Sequence, residues 1–387
     1  MNVDKCINIA DLRLMARRRL PRMIFDFLEG GADDEWTARR NVSAFDNYAL
    51  MPRILMDVGT IDMHTRLFDR KIDWPVIIAP TGALEVSHHT GEAAVARAAA
   101  ESGTFFSLST MSTQSIEEIG SLNDEPKVFQ VYVLRDRGLT EALVERAQAA
   151  GYDALCLTVD TPLSGNRERD RANGMNMPPK WTLRSLSQFA TKPGWSFNAL
   201  FRRRIGLANF RDVAHDVSKA NQTALEYVNS QFDRTVTWQD AAWLAKKWSG
   251  PLALKGILSV DDARRAVDIG VTAIWLSNHG GRQIDGVPAT IDCLSSIRAA
   301  VGDKVDIILD GGVGRGTHVL KALAMGANAC AIGRAYLYGL AAGGYAGVAH
   351  ALEILRSELK RDMALLGCPT LKDIGRHTLA DGAAARP

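Results

Sequence analysis

The sequence predicts a (β/α)8 barrel with an N-terminal helical extension and one long loop after the fourth strand. Three observations carry that reading. Eight short apolar runs recur along the chain, helix-like stretches ending in Gly lie between them, and the last two runs close in Gly-rich turns. Strand alternating with helix implies parallel strands covered by helices, and eight units favour a closed barrel over an open doubly wound sheet. At 387 residues the chain exceeds the ~250 that a bare barrel requires. The surplus falls in residues 1–70, read as the helical extension, and in residues 161–250. The whole of 1–387 is read as one domain.

In order, Asp11 to Arg19 has helical periodicity, Pro21 can open a new helix, and Gly30-Gly31 can end it. The strand candidates are PVIIAP (75–80), TFFSLS (104–109), VFQVYV (128–133), ALCLTVD (154–160), PLALKG (251–256), AIWLSNHG (273–280), DIILDGG (306–312) and ACAIGR (329–334). Each is short, apolar, β-branched or aromatic, and bounded by Gly, Pro or polar residues. GEAAVARAAAESG, LTEALVERAQAAG, SVDDARRAVDIG and GTHVLKALAMG supply helices that stop at Gly.

The connection 161–250 breaks this rhythm, and long connections tend to be functional or disordered. From Arg171 to Arg211 it holds no Asp or Glu but carries Arg171, Lys180, Arg184, Lys192, Arg202, Arg203, Arg204 and Arg211 among Trp181, Phe189, Trp195, Phe197, Phe201 and Phe210. Basic residues interleaved with aromatic ones suit an anionic bilayer surface, so the segment is expected to be a membrane contact, with a disordered lid and an oligomer contact as the alternatives. The formal net charge of +2 gives no argument for nucleic acid. Cys6, Cys156, Cys293, Cys330 and Cys368 form no CxxC pair or metal spacing, which suits a reducing cytoplasm. The start MNVDKCINIA has no long apolar region. The uncharged stretch Ala335 to Ala349 is shorter than the ~18 residues of a membrane span. The expected location is cytoplasmic, with a peripheral position on the inner membrane face as the loop suggests. His88 and His89 lack the carboxylate or Cys companions of a metal site, and no metal is expected.

In a barrel of this kind the site lies at the C-terminal ends of the strands. The residues found there are Pro80-Thr81-Gly82, Ser109, Gln130 with Tyr132, Thr158 with Asp160, Lys255, Ser277-Asn278-His279 with Arg282, Asp310-Gly311-Gly312, and Gly333-Arg334. This rim is polar and mostly cationic and suits anionic ligands. Turns after strands seven and eight are the usual phosphate site of barrels. SNHGGRQIDG is more specific. A guanidinium can hold a carboxylate by two hydrogen bonds, and an imidazole three positions away can take a proton from the neighbouring hydroxyl.

From LPRMIFDFLEGGADDEWT through SNHGGRQ to IGRAYLYGLAAGG, the chain resembles the FMN-dependent α-hydroxy acid dehydrogenase/oxidase family, which includes L-lactate dehydrogenase, mandelate dehydrogenase and glycolate oxidase. The resemblance implies oxidation of an L-2-hydroxy acid with FMN as cofactor. His279 would be the base, oriented by Asp160, with Arg282 and Arg167 on the substrate carboxylate and Tyr132 bonded to the substrate. Lys255 would stabilise the flavin's N1/O2 edge. Pro80, Thr81, Gly82, Ser109, Gln130, Thr158 and Ser277 would line the flavin, and Asp310, Gly311, Gly312, Gly333 and Arg334 its phosphate end. A homotetramer and a quinone or cytochrome acceptor are expected.

Two positions depart from the family pattern. Phe27 stands where the family has Tyr, so a hydroxyl that meets the substrate carboxylate is missing, and lactate does not follow from the resemblance. Gly314 stands where the family has Arg near the phosphate, and Arg315 is the substitute that the sequence offers. Gly82, where oxidases of the family carry Ala, favours a dehydrogenase. The alternatives are an oxidase using O2 and a non-redox FMN barrel isomerase. A non-catalytic relic is disfavoured by the retention of His279, Asp160, Lys255 and Arg282.

Overall fold

The computed structural model describes residues 2–175, 183–201, 206–211 and 230–380. An antiparallel hairpin of β1 (Thr65–Leu67) and β2 (Arg70–Ile72) precedes eight parallel strands. These are β3 (Val76–Ile78), β4 (Phe106–Ser109), β5 (Lys127–Val131), β6 (Ala154–Thr158), β7 (Leu252–Ile257), β8 (Ala273–Leu276), β9 (Asp306–Leu309) and β10 (Ala329–Ile332). Their order is β3-β10-β9-β8-β7-β6-β5-β4, and the sheet closes where the Ile78 N–H donates to the Phe105 carbonyl at 3.0 Å. All eight apolar runs are strands. Most end before the predicted run does, because the chain leaves the sheet there to build the site.

Inward side chains follow one parity. Ile77, Val128, Ala154, Cys156, Ala253, Ala273, Trp275, Ile308, Ala329 and Ala331 share a buried cluster with Leu67, Phe68, Ile72 and Phe105. The hairpin therefore plugs the lower end of the barrel, with the Phe68 and Phe105 rings edge-to-face at 5.6 Å. This corrects the expectation that residues 1–70 are helical throughout. α-Helices cover Ile9–Arg19, Arg22–Glu29 and Trp36–Ser43, short 3-10 turns cover Val3–Lys5 and Ala44–Asn47, and the remainder is irregular chain and the hairpin. The alternation of Leu67 and Ile72 with charged residues is too short for the sequence to distinguish from a helical turn.

The connection 161–250 is more structured than a loop. Trp238–Lys247 is a regular helix opened by a capping box, in which Thr237 accepts and Asp240 returns the bond. Before it lie the helices Glu168–Ala172, Leu183–Ala190 and Pro193–Phe201. Phe189 and Trp195 stack at 5.2 Å. Trp195 Nε1 donates to the Val86 carbonyl at 3.2 Å, and Lys192 Nζ to the Arg18 carbonyl at 2.6 Å. Phe210 is fully buried, whereas Phe197 is exposed. Much of the aromatic content expected at a bilayer is thus packed on the protein itself. Lys180, Trp181 and Arg202, Arg203 and Arg204 lie outside the described residues.

Candidate active site

The next inward positions above the apolar barrel layer are polar. Ser109, Gln130, Thr158, Lys255, Ser277 and Asp310 are all buried. Register places Ser109 beside Gln130 and Thr158 beside Lys255. Ser109 Oγ donates to Gln130 Oε1 at 3.1 Å. Lys255 Nζ donates to Ser277 Oγ at 2.8 Å and lies 3.3 Å from Asp310 Oδ2. That oxygen also accepts from Trp275 Nε1 at 3.0 Å. Burial pushes the lysine's pKa down, but the carboxylates of Asp310 and Asp160 outweigh it and hold the ammonium above its ordinary value. A fixed positive charge thus sits in the polar layer.

Gln130 Nε2, Thr158 Oγ1 and Asp310 Oδ1 are buried without a hydrogen-bond partner among the described residues. Each such group costs about 1–3 kcal/mol, so three in one layer call for a polar ligand in contact with it. The hydrogen-bonding edge and polyol chain of a flavin nucleotide fit that demand. At one end of the layer, Gly311 and Gly312 have φ of +95° and +80°. A Cβ at Gly312 would lie 2.1 Å from the Asn41 carbonyl oxygen, so only glycine lets this turn approach the N-terminal segment. Gly333 precedes the long helix Arg334–Leu366, and its open side leaves helical N–H groups for an anion.

The two arginines expected at the phosphate have other work. Arg315 Nη1 donates to Glu358 Oε1 at 2.7 Å, and Glu358 Oε2 also takes the Gly316 N–H. The expected substitution of Arg315 for the missing arginine at Gly314 therefore meets a guanidinium already committed to a carboxylate. Arg334 donates to the carbonyls of Glu29, Gly30 and Gly280 at 2.8–3.1 Å, tying the N-terminal extension to the turn after β8.

That turn carries His279, whose φ of +56° is unfavourable for a residue with a Cβ and marks backbone held by its surroundings. Its N–H donates to Ser277 Oγ at 3.1 Å, and its Nδ1 lies 3.0 Å from Asp160 Oδ1. Burial pushes Asp160 up, but the charge and hydrogen bond of His279, with Lys255, outweigh it and hold the carboxyl below its ordinary range. The pairing turns Nε2 of the imidazole into the free nitrogen.

Arg282 Nη1 donates to the carbonyls of Phe27 and Gly30 at 2.8 and 2.7 Å, and the guanidinium lies 5.3 Å over the Phe27 ring. Burial, with Arg167 and Arg334 close by, presses its pKa down to about 9. Arg167 has a buried Nε without a partner among the described residues. Phe27, Asp160 and Arg167 line one broad cavity at the barrel mouth. Burial first, and Asp160 second, push the Tyr132 hydroxyl up to about 12, so it stays a donor. Thr81 and Tyr336 share a short hydroxyl contact. A Cβ at Gly82 would sit 2.9 Å from Met111 Cβ and 3.0 Å from its carbonyl oxygen.

Two groups escaped the sequence reading. Gln283 Nε2 donates to the carbonyls of Asp160 and Leu163, both at 2.8 Å, while its Oε1 accepts from the Gly165 N–H. It lies inside the quoted SNHGGRQ motif, so its signal was present. Asn41 exchanges two amide hydrogen bonds with Asn278 at 2.7 and 2.8 Å. Nothing in its local sequence marks that long-range partnership. His88 and His89 lie with ring centres 4.4 Å apart, and no group of three metal-binding side chains occurs among the described residues.

Residues 16–381 match a family model described as FMN-dependent dehydrogenase. The chain is 44% identical over 376 residues to an L-lactate oxidase of a Nostoc species, covering 96% of this chain and 97% of that protein. It is 42% identical over 383 residues to glycolate oxidase 1 of Oryza sativa subsp. indica, covering 98% of each. Among solved structures, the monotopic membrane protein (S)-mandelate dehydrogenase superposes with a TM-score of 0.93 at 34% identity, over 97% of this chain and 100% of that one. A mandelate oxidase superposes with a TM-score of 0.83 at 36% identity, over 97% and 98%.

Proposed function

The chain belongs to the FMN-dependent dehydrogenase family, and on that premise we propose that it oxidises a small L-2-hydroxy acid with His279 as base and delivers the electrons to a quinone or cytochrome-type acceptor. It is an FMN-dependent α-hydroxy acid oxidoreductase, as its relatives are, and the isomerase alternative is dropped. The observation that carries the proposed chemistry is the His279–Asp160 pair at 3.0 Å, at the cavity mouth that also holds Arg167.

Arg167 and Arg282 hold the substrate carboxylate, which orients the α-carbon. Tyr132 donates to the substrate. His279 Nε2 takes the hydroxyl proton, and Asp160 on Nδ1 fixes the tautomer and supports the charged imidazole. FMN, when bound, would accept the two electrons together with the hydrogen that leaves the α-carbon. Lys255 supplies a positive charge in the layer that would carry the flavin, where negative charge must be balanced. Pro80, Thr81, Gly82, Ser109, Gln130, Thr158 and Ser277 would line the ring and ribityl chain. Asp310, Gly311, Gly312 and the helix N-terminus at Gly333 would hold the phosphate end, with Arg334 bracing the turn.

Gly82 supports the dehydrogenase reading, because its missing side chain is where family oxidases carry Ala. A second reading, an oxidase releasing H2O2, is favoured by the 44% identity to an L-lactate oxidase. Peroxide yield against quinone or dye reduction under air separates them. Stoichiometric peroxide at full turnover speed would overturn the dehydrogenase reading.

Peripheral attachment to the inner face of the cell membrane is part of the same proposal. No helix among the described residues is long and apolar enough to cross a bilayer. The support is the basic, acid-free segment 171–211 and the architectural likeness to a monotopic membrane protein. A cytoplasmic homotetramer completes the reading.

A further inference from the structure

Asp170 is an acid that the proposed chemistry leaves unused. It sits on the short helix Glu168–Ala172, whose N-cap is Arg167, and only 8% of it is exposed. It lines the same cavity as Phe27, Asp160 and Arg167. Its Oδ1 is buried with no hydrogen-bond partner among the described residues. Among the described residues, the charged groups that act on it most strongly are Arg282 from the turn after β8, Arg167 at the start of its own helix, Asp26 of helix Arg22–Glu29, and Glu35 just before helix Trp36–Ser43, none of them within ion-pair distance of its carboxylate. The other two acids are engaged elsewhere. Asp26 takes Arg22 and Asn173, and Glu35 takes Arg169 at 2.5 Å.

We propose that Asp170 is the resident counter-ion of the Arg167–Arg282 clamp, and that it takes up a proton from solvent when a substrate carboxylate arrives. The inference rests on reading those two arginines as the carboxylate clamp. Guanidinium groups keep their protons inside proteins, so two of them half-buried beside one cavity favour an anion nearby whether or not substrate is bound. Asp170 supplies it in the free enzyme. An incoming carboxylate places a second negative charge in the same cavity, beside a carboxyl that is itself buried, and two carboxylates sharing a site cannot both stay ionised cheaply. A 2-hydroxy or 2-keto acid is the stronger acid of the two, so the proton goes to Asp170. Burial already holds Asp170 above its ordinary value despite the two arginines, and the bound carboxylate moves it further in that direction. Uptake therefore occurs between the free-site and the bound-site values, and binding weakens as pH rises through that window.

The test is calorimetric titration of the holoenzyme with benzoylformate and pyruvate, each in two buffers of different ionisation heat, from about pH 5 to about pH 8. Wild type is expected to take up as much as one proton per site, with Kd rising up to about tenfold per pH unit through the window. The His279→Gln holoenzyme should keep that uptake. Asp170→Asn should bind either acid without it and with a flat pH dependence. Wild type binding with no proton uptake, or Asp170→Asn retaining the same uptake, overturns the inference. If Asp170→Asn does not hold FMN, the wild-type and His279→Gln titrations still decide: uptake lost with His279 assigns the proton to the base instead. The clamp reading fails separately, if neither acid binds or if Arg282→Lys binds as tightly as wild type.

Discussion

The guanidinium of Arg282 lies 5.3 Å over the ring of Phe27 and donates to that same residue's carbonyl at 2.8 Å. Phe27 thus holds Arg282 by face and by backbone. Its ring is a platform for the cation that a tyrosine ring would equally supply.

Removing the platform should cost substrate binding. A cation–π contact is worth ~0.5–2 kcal/mol, so Phe27→Leu should raise KM roughly 2- to 30-fold with kcat nearly unchanged. Phe27→Tyr keeps the ring and should stay close to wild type on an apolar or aromatic hydroxy acid. Steady-state kinetics with L-lactate, L-mandelate and a longer aliphatic 2-hydroxy acid check this. A Phe27→Leu variant with unchanged KM on all three would leave the stacking without a role.

Asp160 gives a pH prediction with a defined sign. Its carboxyl is held below the ordinary range because His279 and Lys255 outweigh burial. A depressed acid contributes stability that is fully present above its unfolded-state value, ~3.9, and lost as pH falls through the folded-state value. The gap in Tm between wild type and Asp160→Asn should therefore hold steady from about pH 8 to about pH 5 and narrow only below about pH 4. A gap that closes between about pH 7 and pH 5 would mean that Asp160 is not held ionised.

Much of this was legible in the sequence, for physical reasons that differ by residue. The strands β3 to β10 show because a parallel barrel strand is buried on both faces and reads as a continuous apolar run. His279, Arg282 and Lys255 show because they stand at or just past the C-terminal ends of those runs, where barrels place their sites. The β1–β2 hairpin did not, since its short strands offer one buried residue each, Leu67 and Ile72. The ion pair of Arg315 did not show, because its partner, Glu358, lies 43 residues away on a helix whose packing no local pattern reveals. Asn41 and Gln283 act through contacts made only once the chain is folded, and Asp170 is buried only then.

Gln283 should behave as a positioning residue. Its amide holds Asp160, Leu163 and Gly165, so it braces the segment that runs from the base's partner to Arg167. Gln283→Ala should lower kcat/KM by roughly ten- to a hundredfold, the worth of two or three hydrogen bonds. Because Gln283 does not touch the polar layer, the visible spectrum of bound FMN should not change. An altered flavin spectrum, or full activity, would contradict the positioning role.

The membrane proposal predicts a fractionation result. Deleting residues 176–210 with a short linker should move the protein from the membrane to the soluble fraction. High salt should weaken attachment of the intact protein, because basic groups near anionic lipid are screened. Full solubility of the intact protein in a lysate of its native cell would assign the segment to a lid.

The central claim is that this barrel uses His279 to oxidise L-2-hydroxy acids with bound FMN. Its most direct test is anaerobic stopped-flow of the yellow holoenzyme against a panel of L-2-hydroxy acids, reading the bleaching of bound flavin. At least one acid should bleach it with one equivalent of 2-keto acid formed. The His279→Gln holoenzyme, with FMN still bound, should bleach ~10²–10⁴-fold more slowly. Bleaching by no acid in the panel, or equal rates for wild type and His279→Gln, would contradict the account.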